Sequence, residues 1–163
     1  MGWFIFILIV VVIIISVILK KKNKEIMAIE ELKTMAGYGV AVKIKEELIK
    51  NGYNVSDLYT SMGYHGAEGS FSVSKNSSSI GYIDFATYIG DFKRKVEYVK
   101  SPNYEGKKRY FHFVFDNYVN NINLLIYSSA FLEDFSQVSH FLQISTDVIN
   151  NCGYQFKYTD NLI

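Results

Sequence analysis

The 163-residue chain is poor in the residues that staple or punctuate small domains: it has one cysteine, Cys152, one proline, Pro102, and one tryptophan, Trp3. A single cysteine rules out an internal disulfide, and with no second thiol nearby in sequence the paired-cysteine zinc patterns are excluded as well. Basic residues are missing altogether before position 20 and acidic ones before position 25. No phosphate-binding loop, nucleophile elbow or dinucleotide fingerprint occurs, because Gly37-Tyr38-Gly39 lies inside a helical apolar pattern and does not follow a strand.

What fills the charge-free start is hydrocarbon. From Trp3 to Leu19 only Ser16 is not apolar, and Lys20, Lys21, Lys22 and Lys24 follow at once. Eighteen helical residues reach about 27 Å, against roughly 30 Å of hydrocarbon in a bilayer. The fifteen Phe, Ile, Leu and Val residues between Phe4 and Leu19 favour insertion by about 5 to 9 kcal/mol in total. Residues 1–19 therefore read as a single-pass transmembrane anchor and 20–24 as a basic juxtamembrane segment whose lysines contact lipid headgroups. The charge order is the reverse of a cleaved signal peptide, and by the positive-inside rule the lysines place the following domain in the cytoplasm.

After Lys24, 13 basic residues face 16 acidic ones, a net charge of −3 that argues against nucleic acid as a partner. This part reads as one soluble α+β domain, residues 25–163. Ile29, Leu32, Ala36, Val40, Ile44 and Leu48 recur at three and four, predicting one helix or two over 25–51, closed by Asn51-Gly52. From position 70 the period changes to two. Strands are expected at 70–74, 80–85, 95–100, 108–115 and 122–128, with 86–94 ambiguous and hairpins joining the first pair and the second pair. Phe111, Phe113 and Phe115 alternate on a face expected to be core. Phe131, Phe135, Val138, Leu142 and Ile149 then mark a helix ending at Asn151-Cys152-Gly153, and 154–158 reads as a short edge strand. The order predicts an antiparallel β-meander of about four to five strands with one face covered by the N-terminal and C-terminal helices.

Candidate site chemistry is sparse. Residues 60–69, Thr-Ser-Met-Gly-Tyr-His-Gly-Ala-Glu-Gly, hold three glycines and read as an exposed loop in which His65 and Glu68 are placed to act as an acid/base pair or as metal ligands. His65, His112 and His140 make a zinc site only if they converge, and Cys152 with His140 a nucleophile and base only if they meet. Neither pattern has the local spacing that marks such sites, so no catalytic residue, metal or cofactor is assigned. Thirteen tyrosines and twelve phenylalanines favour a binding surface, for which Tyr64, His65, Glu68, Tyr104, Tyr110 and His112 are the candidates. The leading expectation is a non-enzymatic accessory protein, for example of an inhibitory or immunity type, that binds a protein partner at the membrane. Two alternatives follow from the same residues. One is an envelope-assembly subunit, since the layout resembles that of pilin-like proteins, although no Glu stands in the apolar run. The other is a tethered hydrolytic or ligand-binding domain using the 60–69 segment.

Overall fold

A computed structural model describes residues 2–100, 110–115, 123–128 and 135–154. The apolar run is the first half of one long helix, α1 (Gly2–Thr34). By length and composition it is the one described helix fit to cross a membrane, and its large apolar side chains from Trp3 to Leu19 are all exposed. Toward its other end the environment changes: Ala28 and Ile29 pack on the domain and Leu32 is 1% exposed. The helix breaks at Met35, whose backbone is extended (φ −78°, ψ 146°), and restarts as α2 (Ala36–Lys50). The 25–51 pattern is thus two helices, and the first is continuous with the apolar run. Asn51 and Gly52 close α2, Gly52 at φ +78° and the Tyr53 N–H on the Leu48 carbonyl, a glycine stop of the kind expected from the sequence.

Six described strands follow: β1 (Asn54–Val55), β2 (Tyr59–Met62), β3 (Ala67–Lys75), β4 (Ser78–Ala86), β5 (Tyr110–Phe115) and β6 (Asn123–Ser128). Helix α3 (Ile89–Lys100) lies between β4 and β5 in sequence, and α4 (Phe135–Asn151) closes the described chain. All pairs are antiparallel, in the order β1-β3-β4-β6-β5, with β2 also on β3. The β3–β4 hairpin turns on Asn76 and Ser77, both at positive φ, as a twist-matched two-residue turn requires.

Alternation along the strands gives the sheet two different faces. One carries Phe71, Val73, Ile83, Phe85, Leu124 and Ile126, which form a single buried cluster with Val40, Ile44 and Leu48 of α2 and Val138, Phe141 and Leu142 of α4. Phe141 passes directly over Gly81, where a Cβ would stand 2.7 Å from its ring and 2.5 Å from the Tyr127 carbonyl. Gly81→Ala is therefore expected to cost about 1 to 3 kcal/mol through overpacking, read as a lower urea midpoint with an unchanged slope. The other face presents Glu68, Tyr82 and Asp84, and α3 packs there, on β4 and β6.

Four expectations are corrected. Residues 95–100 are the second half of α3, because Ile89, Phe92, Val96 and Val99 recur at helical spacing across the segment left ambiguous. The second hairpin is consequently β5 with β6, and β6 lies between β4 and β5, so the sheet is not a simple meander. Helices lie on both faces instead of one. Residues 60–69 form a hairpin, β2 and the start of β3 in register from Tyr59↔Ser70 to Met62↔Ala67, with only the four-residue tip outside the ladder. The expected turn at 101–106, the strand over 155–158 and the β5 side chains, Phe111, Phe113 and Phe115 among them, lie outside the described residues.

Candidate functional site

The tip of the β2–β3 hairpin is drawn tight by the Gly63 N–H on the Gly66 carbonyl at 2.6 Å. Gly66 lies so close to Thr87 that a Cβ would collide with its hydroxyl. Thr87 is itself tied to the hairpin, its N–H and hydroxyl both donating to the Ala67 carbonyl at 2.9 and 3.1 Å. This approach delivers two backbone donors to the first turn of α3, where Asp91 is 8% exposed: the N–H groups of His65 and Gly66 reach its Oδ2 at 2.8 and 3.2 Å. One turn along α3, Arg94 Nη2 donates to Asp91 Oδ1 at 3.0 Å. Burial alone would push the Asp91 carboxyl up, but the His65 backbone N–H, the His65 ring, the Arg94 charge and the Gly66 N–H outweigh it and hold the carboxyl below the usual carboxylate range.

Aromatic rings close over this ion pair. His65 sits between Tyr64 and Tyr88, ring centroids 4.7 and 4.9 Å away, and the Arg94 guanidinium stacks on Tyr64 at 4.7 Å. His65 Nδ1 is 3.3 Å from Arg94 Nη2 and 3.4 Å from Asp91 Oδ1, so that nitrogen serves as acceptor toward the guanidinium or as donor toward the carboxylate, not both at once.

Beside the tip a shallow depression of about 640 Å³ is lined by Met62, Gly63, Tyr64, Glu68, Asp91, Arg94 and Lys95. Lys95 leads from it into the sheet, where its Nζ meets Oδ1 of Asp84 at 2.9 Å; the Asp84 side chain is 4% exposed. The second oxygen, Oδ2, has no hydrogen-bond partner among the described residues. Burial pushes the Asp84 carboxyl above its ordinary range, against the pull of Lys95 and of a hydrogen bond from the Tyr127 hydroxyl.

Of the sequence candidates, the structure brings Tyr64, His65 and Glu68 to one corner. The ring of His65 is engaged by Asp91 and Arg94, and among the described residues no hydrogen bond joins it to Glu68. Tyr110 and His112 stand opposite Ser128 and Ile126 in the β5–β6 ladder, and their side chains, like Tyr104, lie outside the described residues. His140 is elsewhere, its Nδ1 2.9 Å from the Tyr53 hydroxyl. Cys152 is twelve residues on, about 18 Å along α4, with Lys43 Nζ 3.8 Å from its sulfur, so His140 and Cys152 do not form a nucleophile and base. Among the described residues no three His, Cys, Asp or Glu side chains gather as a metal site needs.

Sequence reasoning missed Asp91, Arg94, Lys95, Tyr88 and Asp84. The Asp91/Arg94 pair at i and i+3 was a readable helix signal; the partnership with a hairpin 25 residues earlier was not. Chemically, the Asp91 carboxylate is occupied by two amides and a guanidinium, which fixes it as a structural acceptor between hairpin and helix. What remains outward is a surface of Tyr64, Tyr88, His65 and half of Arg94, with Tyr and Arg among the residue types enriched in recognition hot spots. The chain matches no protein-family model, no curated protein and no solved structure.

Proposed function

We propose that this is a membrane-tethered, non-enzymatic interaction protein: α1 spans the bilayer through Trp3 to Leu19, and the α+β domain, on the cytoplasmic side, meets a protein partner through Tyr64, His65, Tyr88 and Arg94. The observation that carries this reading is the unbroken passage of α1 from a fully exposed apolar run into the buried core at Leu32. A domain joined in this way is held by a stiff rod and not by a loose linker. The hairpin that bears the site is also the part of the sheet on which α1 packs, through β2 and β3. Its partner would therefore be met at the membrane surface in a fixed orientation, which lowers the entropy lost on binding.

Two experiments test this. A photo-crosslinker at Tyr64 in intact membranes is expected to capture one discrete partner, and Arg94→Glu to abolish the product; a pattern no different from that of a crosslinker at exposed Asp57 sinks the site. For orientation, a membrane-impermeant maleimide should label neither Cys152 nor an Asp57→Cys variant in intact cells and should label the variant after lysis. Labelling before lysis would put the domain on the other side.

A further inference from the structure

Helix α1 has a second face, which the domain leaves bare. The side chains by which it meets the domain are the half-buried Glu25, Ala28 and Ile29 and the buried Leu32; at about 100° per residue all lie within about 60° of Leu32. Asn23 comes nine residues before Leu32, half a turn away, and so stands on the opposite side of the helix. Along that side Ile9, Val12, Ser16, Leu19, Asn23 and Ile26 follow at alternating steps of three and four, the spacing of a helix–helix seam. Three features set this line apart from the rest of the helix surface. Ser16 and Asn23 are the only uncharged polar side chains from Trp3 to Ile29, and both fall on it. The lysine cluster is interrupted once, at Asn23: Lys20 lies about 60° to one side of it, and Lys21, Lys22 and Lys24 about 100° or more away. Beyond the lysines, Ile26 and Met27, 50% and 73% exposed, carry apolar surface out of the hydrocarbon within about 60° of the same line. We infer that α1 pairs with the α1 of a second copy along this seam, in a parallel dimer whose two-fold axis is the membrane normal and whose domains face outward. The inference rests on the reading of α1 as a membrane span and goes beyond the proposed partner site.

A second copy is the occupant this face selects. Both anchors enter the bilayer in the same direction and to the same depth, so across a two-fold axis each seam residue meets its own counterpart. A carboxamide carries both donor and acceptor and is complementary to itself, which is how one Asn in a seam fixes the register of a parallel coiled coil. Ser16 lies about 6 Å deeper than Lys20, where lipid offers its hydroxyl no partner and a facing helix does. The lysine stems, off the seam, can reach outward to headgroup phosphates. Because each domain hangs on the far side of its helix, nothing described keeps the two axes from the roughly 8 to 10 Å at which helices pack. Glu30 continues the line and ends the seam: its carboxylate is held by Lys33 of its own helix at 2.7 Å, and two such groups face to face repel.

The full chain, in a Cys152→Ser background and carrying one new cysteine, is reconstituted at high lipid dilution into phosphatidylcholine vesicles and oxidised with copper phenanthroline. Leu19→Cys and Ile26→Cys are expected to give several-fold more disulfide-linked dimer than Lys21→Cys, which lies about 160° round the helix from Asn23. Adding Asn23→Lys, which carries the lysine run across the seam, is expected to bring both down to the level of Lys21→Cys. Equal crosslinking at the three positions, or none in a chain that floats with the vesicles, overturns the inference and leaves the anchor and the proposed partner site standing. Crosslinking at 19 and 26 that survives Asn23→Lys unchanged overturns the seam as drawn, and failure of the chain to float overturns the anchor and the inference together.

Discussion

Replacing Asp91 by alanine is expected to lower the stability of the detergent-solubilised chain by about 2 to 4 kcal/mol, with the loss centred on the hairpin tip. The carboxylate accepts from His65 N–H, Gly66 N–H and Arg94, and its removal leaves two amides and a guanidinium facing a hole between hairpin and helix. Asp91→Asn keeps one acceptor and is expected to lose roughly half as much. The pH dependence identifies the cause. The folded-state pKa of Asp91 is depressed, so its contribution is complete above the unfolded value of about 3.9 and is lost as the pH falls through the lower folded value. Wild-type stability should therefore fall in that acid window, and Asp91→Ala should flatten the fall. Hydrogen exchange of the His65 and Gly66 amides reads the local effect: faster exchange there with the β3–β4 core unchanged is the expected result, and uniform acceleration would mean that Asp91 serves the whole fold and not the tip.

That cluster shows how far local pattern carries. The apolar run, the β3–β4 hairpin and α4 are written in nearest-neighbour chemistry: seventeen nearly unbroken hydrocarbon positions, two residues able to take positive φ at Asn76-Ser77, apolar spacing of three and four before Cys152-Gly153. Helix α3 is not so plain. Lys95-Val96-Glu97-Tyr98-Val99 alternates well enough to pass for a strand, and only the spacing from Ile89 through Phe92 and Val96 to Val99 breaks the tie. Read as a strand, that segment displaces β6 from the sheet's interior and hides the second helical face. Glycine content marked the tip as special, and Tyr64, His65 and Glu68 are indeed neighbours. The group that organises them, Asp91, comes from an element 26 residues from His65, and no local period records a contact of that separation.

Loss of Lys95 is expected to give the opposite response to acid. Asp84 is an ionisable group on the sheet face covered by α3, held by the Lys95 ammonium at 2.9 Å and by a hydrogen bond from the Tyr127 hydroxyl. Lys95→Met removes the counter-charge and leaves a carboxylate enclosed in protein, a loss of about 3 to 5 kcal/mol at neutral pH. Burial already raises the Asp84 pKa, so ionisation disfavours the folded state, and stability lost above the folded pKa returns as the pH falls toward the unfolded value. Without Lys95 the folded pKa rises further. The variant should therefore regain stability on acidification over the range just above the ordinary carboxylate pKa, before the Asp91 contribution is lost at lower pH. Adding Asp84→Asn to Lys95→Met removes the charge that had to be enclosed, and the double variant should recover most of the loss at pH 7 and show no such rise. Urea denaturation of the wild type, Lys95→Met and the double variant at pH 7 and pH 5 measures this directly. If Lys95→Met loses as much at pH 5 as at pH 7, the lysine contributes by packing its methylenes between α3 and the sheet, and the ion pair is incidental to the fold.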